Sequence, residues 1–167
     1  MLGNYKYSRQ RFSSGVKDMG NNAINTNSNP FFLATQGVNV NNVTGDGTVY
    51  KVPADTLNNG AGWVTDTFTA VRRGIFEFTP IISVINLTRL HTQATLTLVS
   101  SSESIILFDG NLATIRSPGN NATIPAIPWP VYLSAGDQVY FNLAVFNSTK
   151  TIGIGAGNTK ITCRMLS

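Results

Sequence analysis

Phe68-Thr69-Ala70-Val71-Arg72-Arg73-Gly74-Ile75-Phe76-Glu77-Phe78 is the stretch whose reading decides the fold. Arg73-Gly74 turns the chain. Phe76 and Phe78 then fall two residues apart on one face of an extended strand. A second stretch repeats the plan: Leu133-Ser134-Ala135-Gly136-Asp137-Gln138-Val139-Tyr140-Phe141. Here Ala135-Gly136-Asp137 makes the turn. Val139, Phe141, Leu143 and Val145 then alternate with Tyr140, Asn142 and Ala144. Period-two alternation of this kind marks a half-buried strand.

Outward from these two stretches the pattern stays β. Strands are predicted over residues 31–36, 48–52, 63–64, 81–90, 94–99, 105–108, 131–133, 139–146 and 159–166. Turn-rich clusters separate them, such as Gly45-Asp46-Gly47 and Asn58-Asn59-Gly60-Ala61-Gly62. Asp109-Gly110 reads as a hairpin turn, because that pair suits left-handed backbone. Pro125, Pro128 and Pro130 bar central-strand pairing, so residues 117–130 read as an irregular crossing. Trp129 within it is expected to cover one end of the core. In the last strand Ile161, Cys163 and Met165 share a face. No segment shows a helical period, and no fixed-length repeat is present. The fold class is therefore all-β: a single jelly-roll β-sandwich of eight to ten antiparallel strands. It spans residues 30–167 behind an extended N-terminal arm at residues 1–29.

Composition narrows the setting. Apolar residues make up 42 % of the 167, enough for a real core. Only 12 % are charged, about half the share usual in soluble domains. Asn, Thr and Ser take the place of the missing charges, as on surfaces that pack against protein or face a harsh exterior. The arm holds Lys6, Arg9, Arg11 and Lys17 against Asp18, which is most of the net charge of +4. Tyr5, Tyr7 and Phe12 interleave with those cations. Such a segment can anchor on a neighbouring protein, hold single-stranded nucleic acid, or stay without fixed structure. Four cations are few for neutralising phosphates, which makes nucleic acid the weaker reading. The single cysteine, Cys163, excludes a disulfide within one chain. The opening residues carry no secretory signal pattern, and no apolar run is long enough to span a bilayer. No membrane insertion is expected.

No residue pattern points to catalysis. His91 is the only histidine, so a histidine-based triad or a histidine-rich metal site has too few partners. The carboxylates are scattered, and loop oxygens come mostly from Asn and Thr, so neither calcium nor any other metal is predicted. Cys163 reads as a small buried hydrophobe. Gly153-Ile154-Gly155-Ala156-Gly157 lacks the Lys-Ser/Thr pair and the helix of a phosphate loop. It reads instead as a close backbone approach or a flexible tip. Asn42, Asn86, Asn121 and Asn147 begin glycosylation patterns that so Asn- and Thr-rich a chain produces by chance. No cofactor is expected, and the protein is read as not an enzyme.

Several motifs, taken in order, resemble the conserved core of the complement one-q-like globular head. That family reads F-T-A-P, two residues, then G-x-Y-x-F, and later L-x-x-G-D-x-V. Here Phe68-Thr69-Ala70 precedes Gly74-x-Phe76-x-Phe78, and Leu133-x-x-Gly136-Asp137-x-Val139 follows. Phe32-x-Ala34 and the strand at 162–166 lie at the expected ends. The proline after Ala70 is absent, and Phe76 stands where Tyr is usual. The match is thus to a distant branch of the wider tumour-necrosis-factor-like jelly roll. The resemblance implies a ten-stranded jelly roll assembled as a trimer. On the strand at 139–146, Tyr140, Asn142 and Phe146 face away from the predicted core. Aromatics there need a cover, which a second subunit would supply.

Together these readings predict a non-enzymatic structural protein of a virion: a capsid decoration protein, head fibre or spike of a bacteriophage or other virus. Its body would be a homotrimer joined at Tyr140, Asn142 and Phe146. The arm, through Tyr5, Tyr7, Arg9, Arg11 and Phe12, would dock on other capsid proteins. Loops at the far end would face a host receptor or glycan. Two alternatives stay open: a coat protein building a small icosahedral shell with its arm on the genome, and a soluble ligand-recognition head.

Overall fold

The computed structural model describes residues 31–59, 62–125 and 127–166. The arm residues Tyr5, Tyr7, Arg9, Arg11 and Phe12 lie outside them. The strands in chain order are β1 (Phe31–Thr35), β2 (Val40–Thr44), β3 (Tyr50–Lys51), β4 (Thr56–Asn59), β5 (Trp63–Val64), β6 (Thr67–Thr69), β7 (Gly74–Ile85) and β8 (Gln93–Ser100). Then come β9 (Ser104–Asn111), β10 (Arg116–Ser117), β11 (Asn121–Pro125), β12 (Trp129–Leu133), β13 (Gln138–Phe146), β14 (Ile152–Ile154) and β15 (Lys160–Met165). Ten of the fifteen are four residues or longer, the upper end of the expected count. Among the described residues a single 3-10 turn, at Leu112–Thr114, interrupts them.

The strands pair into two antiparallel sheets, as a jelly roll requires. One runs β10-β11-β7-β15-β1-β4, with β12 alongside β7 and β14 and β2 extending it. The other runs β5-β6-β13-β8-β9, with β3 also on β13. The two deciding stretches thus yield the central strands, β7 and β13. Phe76, Phe78, Val139, Phe141, Leu143 and Val145 are all fully buried between the sheets. An aromatic cluster ties the sheets together. Phe68 lies 5.3 Å from Phe76 and 5.4 Å from Phe78, and Phe78 lies 6.1 Å from Phe141. Such ring pairs add about 0.5–1.5 kcal/mol each beyond their area.

Five local expectations are corrected. Asp109-Gly110 is no turn: both residues lie inside β9, and the β8–β9 connection is residues 101–103. A bulge in β9 puts Leu96 opposite Phe108 but Thr97 opposite Ile106, so local turn propensity yields to strand pairing. The predicted strands at 74–78 and 81–90 are one strand to Ile85, followed by a turn. Pro80 does not break it. It falls between Phe78, the last partner of β12, and Ile81, the first partner of β11. The 117–130 segment is not an irregular crossing, because β11 and the start of β12 pair with β7. Pro130 is accommodated because β12 is an edge strand. Trp129 is 41 % exposed and covers no core. Only Tyr50 and Lys51 of the 48–52 run are strand.

The asparagines have conformational work. Asn42, Asn86, Asn120 and Asn147 all hold positive φ, between 58° and 76°, a region Asn enters more readily than other non-glycine residues. Three of them begin glycosylation patterns, so turn geometry accounts for their presence. The Gly-rich segment is a close approach. A Cβ on Gly153 would meet the Val40 carbonyl oxygen at 2.3 Å.

The sandwich has two ends. β7 runs from Gly74 at the near end to Ile85 at the far end. Phe31, the turns at 70–73 and 134–137, and the 101–103 connection share the near end. Residues 45–48, 86–92, 112–120 and 147–151 gather at the far end. His91, fully buried, fastens that end. Its Nδ1 accepts from the Thr88 backbone N–H at 3.0 Å, and its Nε2 faces the Thr149 carbonyl at 3.0 Å. A carbonyl only accepts, so the ring proton sits on Nε2.

Candidate functional site

Two outward sheet faces are available to a partner. On the six-stranded sheet, Tyr140, Asn142 and Phe146 line the outer face of β13, all half-buried. They share that face with Thr95, Thr97 and Val99 of β8, and with Ile106 of β9. Cover for these residues comes in part from the chain itself. The Lys51 ammonium stands 5.2 Å over the Tyr140 ring and donates to Thr67 Oγ1 at 2.6 Å. Gly47 lies against Phe146: a Cβ there would sit 3.2 Å from the ring. The three predicted residues do lie on one face, with the Ala144 row between Asn142 and Phe146.

The nine-stranded face differs. Tyr132 is opposite Ile75, and the Leu166 N–H donates to the Ile75 carbonyl at 2.8 Å. The three side chains therefore form one row across three strands. They are 58 %, 37 % and 47 % exposed. The next row holds the Glu77–Arg164 ion pair at 2.6 Å, with Pro130 beside it. Exposed Ile127 and Trp129 flank the same edge. Sequence reading missed this row because Ile75 and Tyr132 sit between residues that are buried, and alternation alone assigns them to solvent. The signal was there in Tyr132 and Leu166, apolar residues on a face where polar ones were expected.

Among the described residues no group of three or more His, Cys, Asp and Glu side chains could hold a metal ion. Burial, and then the neighbouring Glu77 charge, push the Cys163 thiol above its ordinary range, which disfavours the reactive thiolate. No described helix is long and apolar enough to cross a membrane.

No family model and no curated protein sequence matches the chain. Solved structures do. Murine APRIL at pH 8.5 matches with 13 % identity and a TM-score of 0.51, over 82 % of this chain and 98 % of that one. The PRD1 vertex protein P5 matches with 14 % identity and a TM-score of 0.54, over 83 % of this chain and 98 % of that one. These likenesses show the fold: a jelly-roll β-sandwich of the kind seen in murine APRIL and the PRD1 vertex protein P5.

Proposed function

We propose that the protein is a non-enzymatic structural component of a virion, a vertex, spike or decoration protein. The observation that carries this is the fold shared with the PRD1 vertex protein P5 along nearly all of that chain. The paucity of charge and the absence of any catalytic constellation among the described residues support it. The body self-associates as a trimer. The arm, through Tyr5, Tyr7, Arg9, Arg11 and Phe12, anchors it to other capsid proteins. Because Phe31 lies at the near end, an anchored arm leaves the far-end loops pointing outward.

Two surfaces are proposed for the subunit contact. One is the Tyr140, Asn142 and Phe146 face. The other is the Tyr132–Ile75–Leu166 row, and it is the stronger candidate. Its apolar area is still open to water, and covering it gains roughly 25 cal/mol per Å2. Tyr140 already has Lys51 above it.

Light scattering behind a sizing column, at low and high salt, tests the reading. A mass of three chains without nucleic-acid absorbance supports it. Very large particles that absorb as nucleic acid favour a shell-forming coat protein. Deleting residues 1–29 should abolish attachment to capsids and leave the trimer intact. Loss of the trimer itself would sink the anchoring role.

A further inference from the structure

From the far end of the six-stranded sheet we infer that this protein binds a neutral sugar. A cleft of about 400 Å3 opens there, lined by Thr92, Gln93, Asp109, Gly110, Asn111 and Asn147. Its size falls within the roughly 300–1,000 Å3 usual for small-ligand sites. Its lining does not fit the usual apolar occupant. Apart from Gly110, every lining residue ends in a hydroxyl, an amide or a carboxylate.

The β9 bulge builds this cleft. Side chains alternate faces along a strand, so one extra residue flips everything beyond it. Ile106 faces outward opposite Thr97. Without the bulge, Phe108 would face outward too, and Asp109 and Asn111 would point into the core. With it, Leu107 and Phe108 both pack on the core. Asp109 then comes up opposite Thr95, and Asn111 opposite Gln93, on the outer face. Gln93 in turn sits opposite Phe146. The half-buried Phe146 is thus the cross-strand neighbour of Gln93, just outside the cleft lining.

The polar groups are held in place and keep unspent capacity. Gln93 Nε2 donates to Asp109 Oδ1 at 3.1 Å, and Asn147 Nδ2 donates to Thr92 Oγ1 at 2.8 Å. Asn111 Oδ1 accepts from the Ala113 N–H at 2.8 Å. Among the described residues, nothing bonds to Asp109 Oδ2, Gln93 Oε1, Asn147 Oδ1 or Asn111 Nδ2. The cleft thus offers three acceptors, one of them ionic, and one amide donor. Sugar hydroxyls each donate and accept, and adjacent pairs match a carboxylate beside an amide. The lining holds no Lys, Arg or His, which disfavours phosphate, sulfate and acidic sugars. One carboxylate is too few for a calcium cage.

This deepens the virion reading and rests on it for the source of the sugar, a host surface glycan. The test uses the full chain, 15N-labelled, titrated with the methyl pyranosides of glucose, galactose, mannose and N-acetylglucosamine. Glycerol and calcium chloride serve as comparison ligands. The expected result is saturable shifts of the amides of residues 92, 93, 109–111 and 147 with at least one pyranoside. Asp109→Asn should then weaken binding about tenfold or more, the loss of one charge-assisted hydrogen bond. Gln93→Ala, which leaves the carboxylate in place, should weaken it about threefold to tenfold. Absence of shifts with every pyranoside overturns the site, as do shifts that glycerol or calcium reproduces equally. The oligomeric mass of the same sample separates the two readings. A trimer without sugar binding sinks the site alone, and sugar binding by a protein that is not a trimer sinks the trimeric virion reading alone.

Discussion

The two outer faces of one sandwich have different histories. On the six-stranded sheet, the chain returns through β3 and lays Lys51 over Tyr140. On the nine-stranded sheet no described segment covers Tyr132, Ile75 and Leu166 to that extent. Both faces carry an outward tyrosine on a central or adjoining strand, half-buried at Tyr140 and exposed at Tyr132. The difference is whether a distant part of the chain has already spent its contact there. An aromatic residue on an outer face thus marks a place that needs cover, without saying who supplies it.

That comparison can be broken most completely by removing what both faces stand on. Phe78→Ala hollows the aromatic cluster between the sheets and should cost about 3–5 kcal/mol in urea unfolding. A loss under about 1 kcal/mol would mean that the sheets do not share this core. Next in size is a charge on the open face. Tyr132→Asp should bring the solution mass from three chains to one, since an unpaired carboxylate in an apolar contact costs of order 3 kcal/mol. Tyr140→Asp should leave the mass unchanged. The reverse pattern would move the contact to the Tyr140, Asn142 and Phe146 face. A smaller effect is expected from Lys51→Met, which removes the ammonium over Tyr140. About 0.5–1 kcal/mol should be lost in thermal unfolding, with no change in mass. Smallest is Arg164→Ala. Its partner Glu77 is mostly covered, but Arg164 is 64 % exposed, so isolated subunits should lose less than about 1 kcal/mol. A larger loss seen only in the trimer would place the ion pair inside the contact.

Much of the fold was legible because it rests on alternation. Phe76, Phe78, Val139, Phe141, Leu143 and Val145 were assigned to the core from period two alone, and all are buried. Cys163 was read as a buried hydrophobe, and it is buried. What was not legible depends on pairing across distance. Asp109-Gly110 has the local chemistry of a turn, yet a bulge opposite Leu96 and Thr97 makes it strand. Pro125 and Pro130 break central strands in general, but Pro125 is the last residue of β11 and Pro130 lies in β12, an edge strand where the rule relaxes. Tyr140 was seen as uncovered because Lys51 is 89 residues away in sequence. The far-end cleft was invisible for the same reason, since β8, β9 and the turn after β13 all contribute to it.

The register of β7 has a consequence for synthesis. Its partners β11, β12, β14 and β15 all follow it in the chain, and β1 pairs with β15, the last strand described. A nascent chain that has completed β7 therefore has none of that strand's pairing partners. The larger sheet can close only when β15 has left the ribosome. Until then β1 and β7 present open edges to neighbouring chains. Folding is late, slow and exposed to mispairing, and the last six-residue strand locks it.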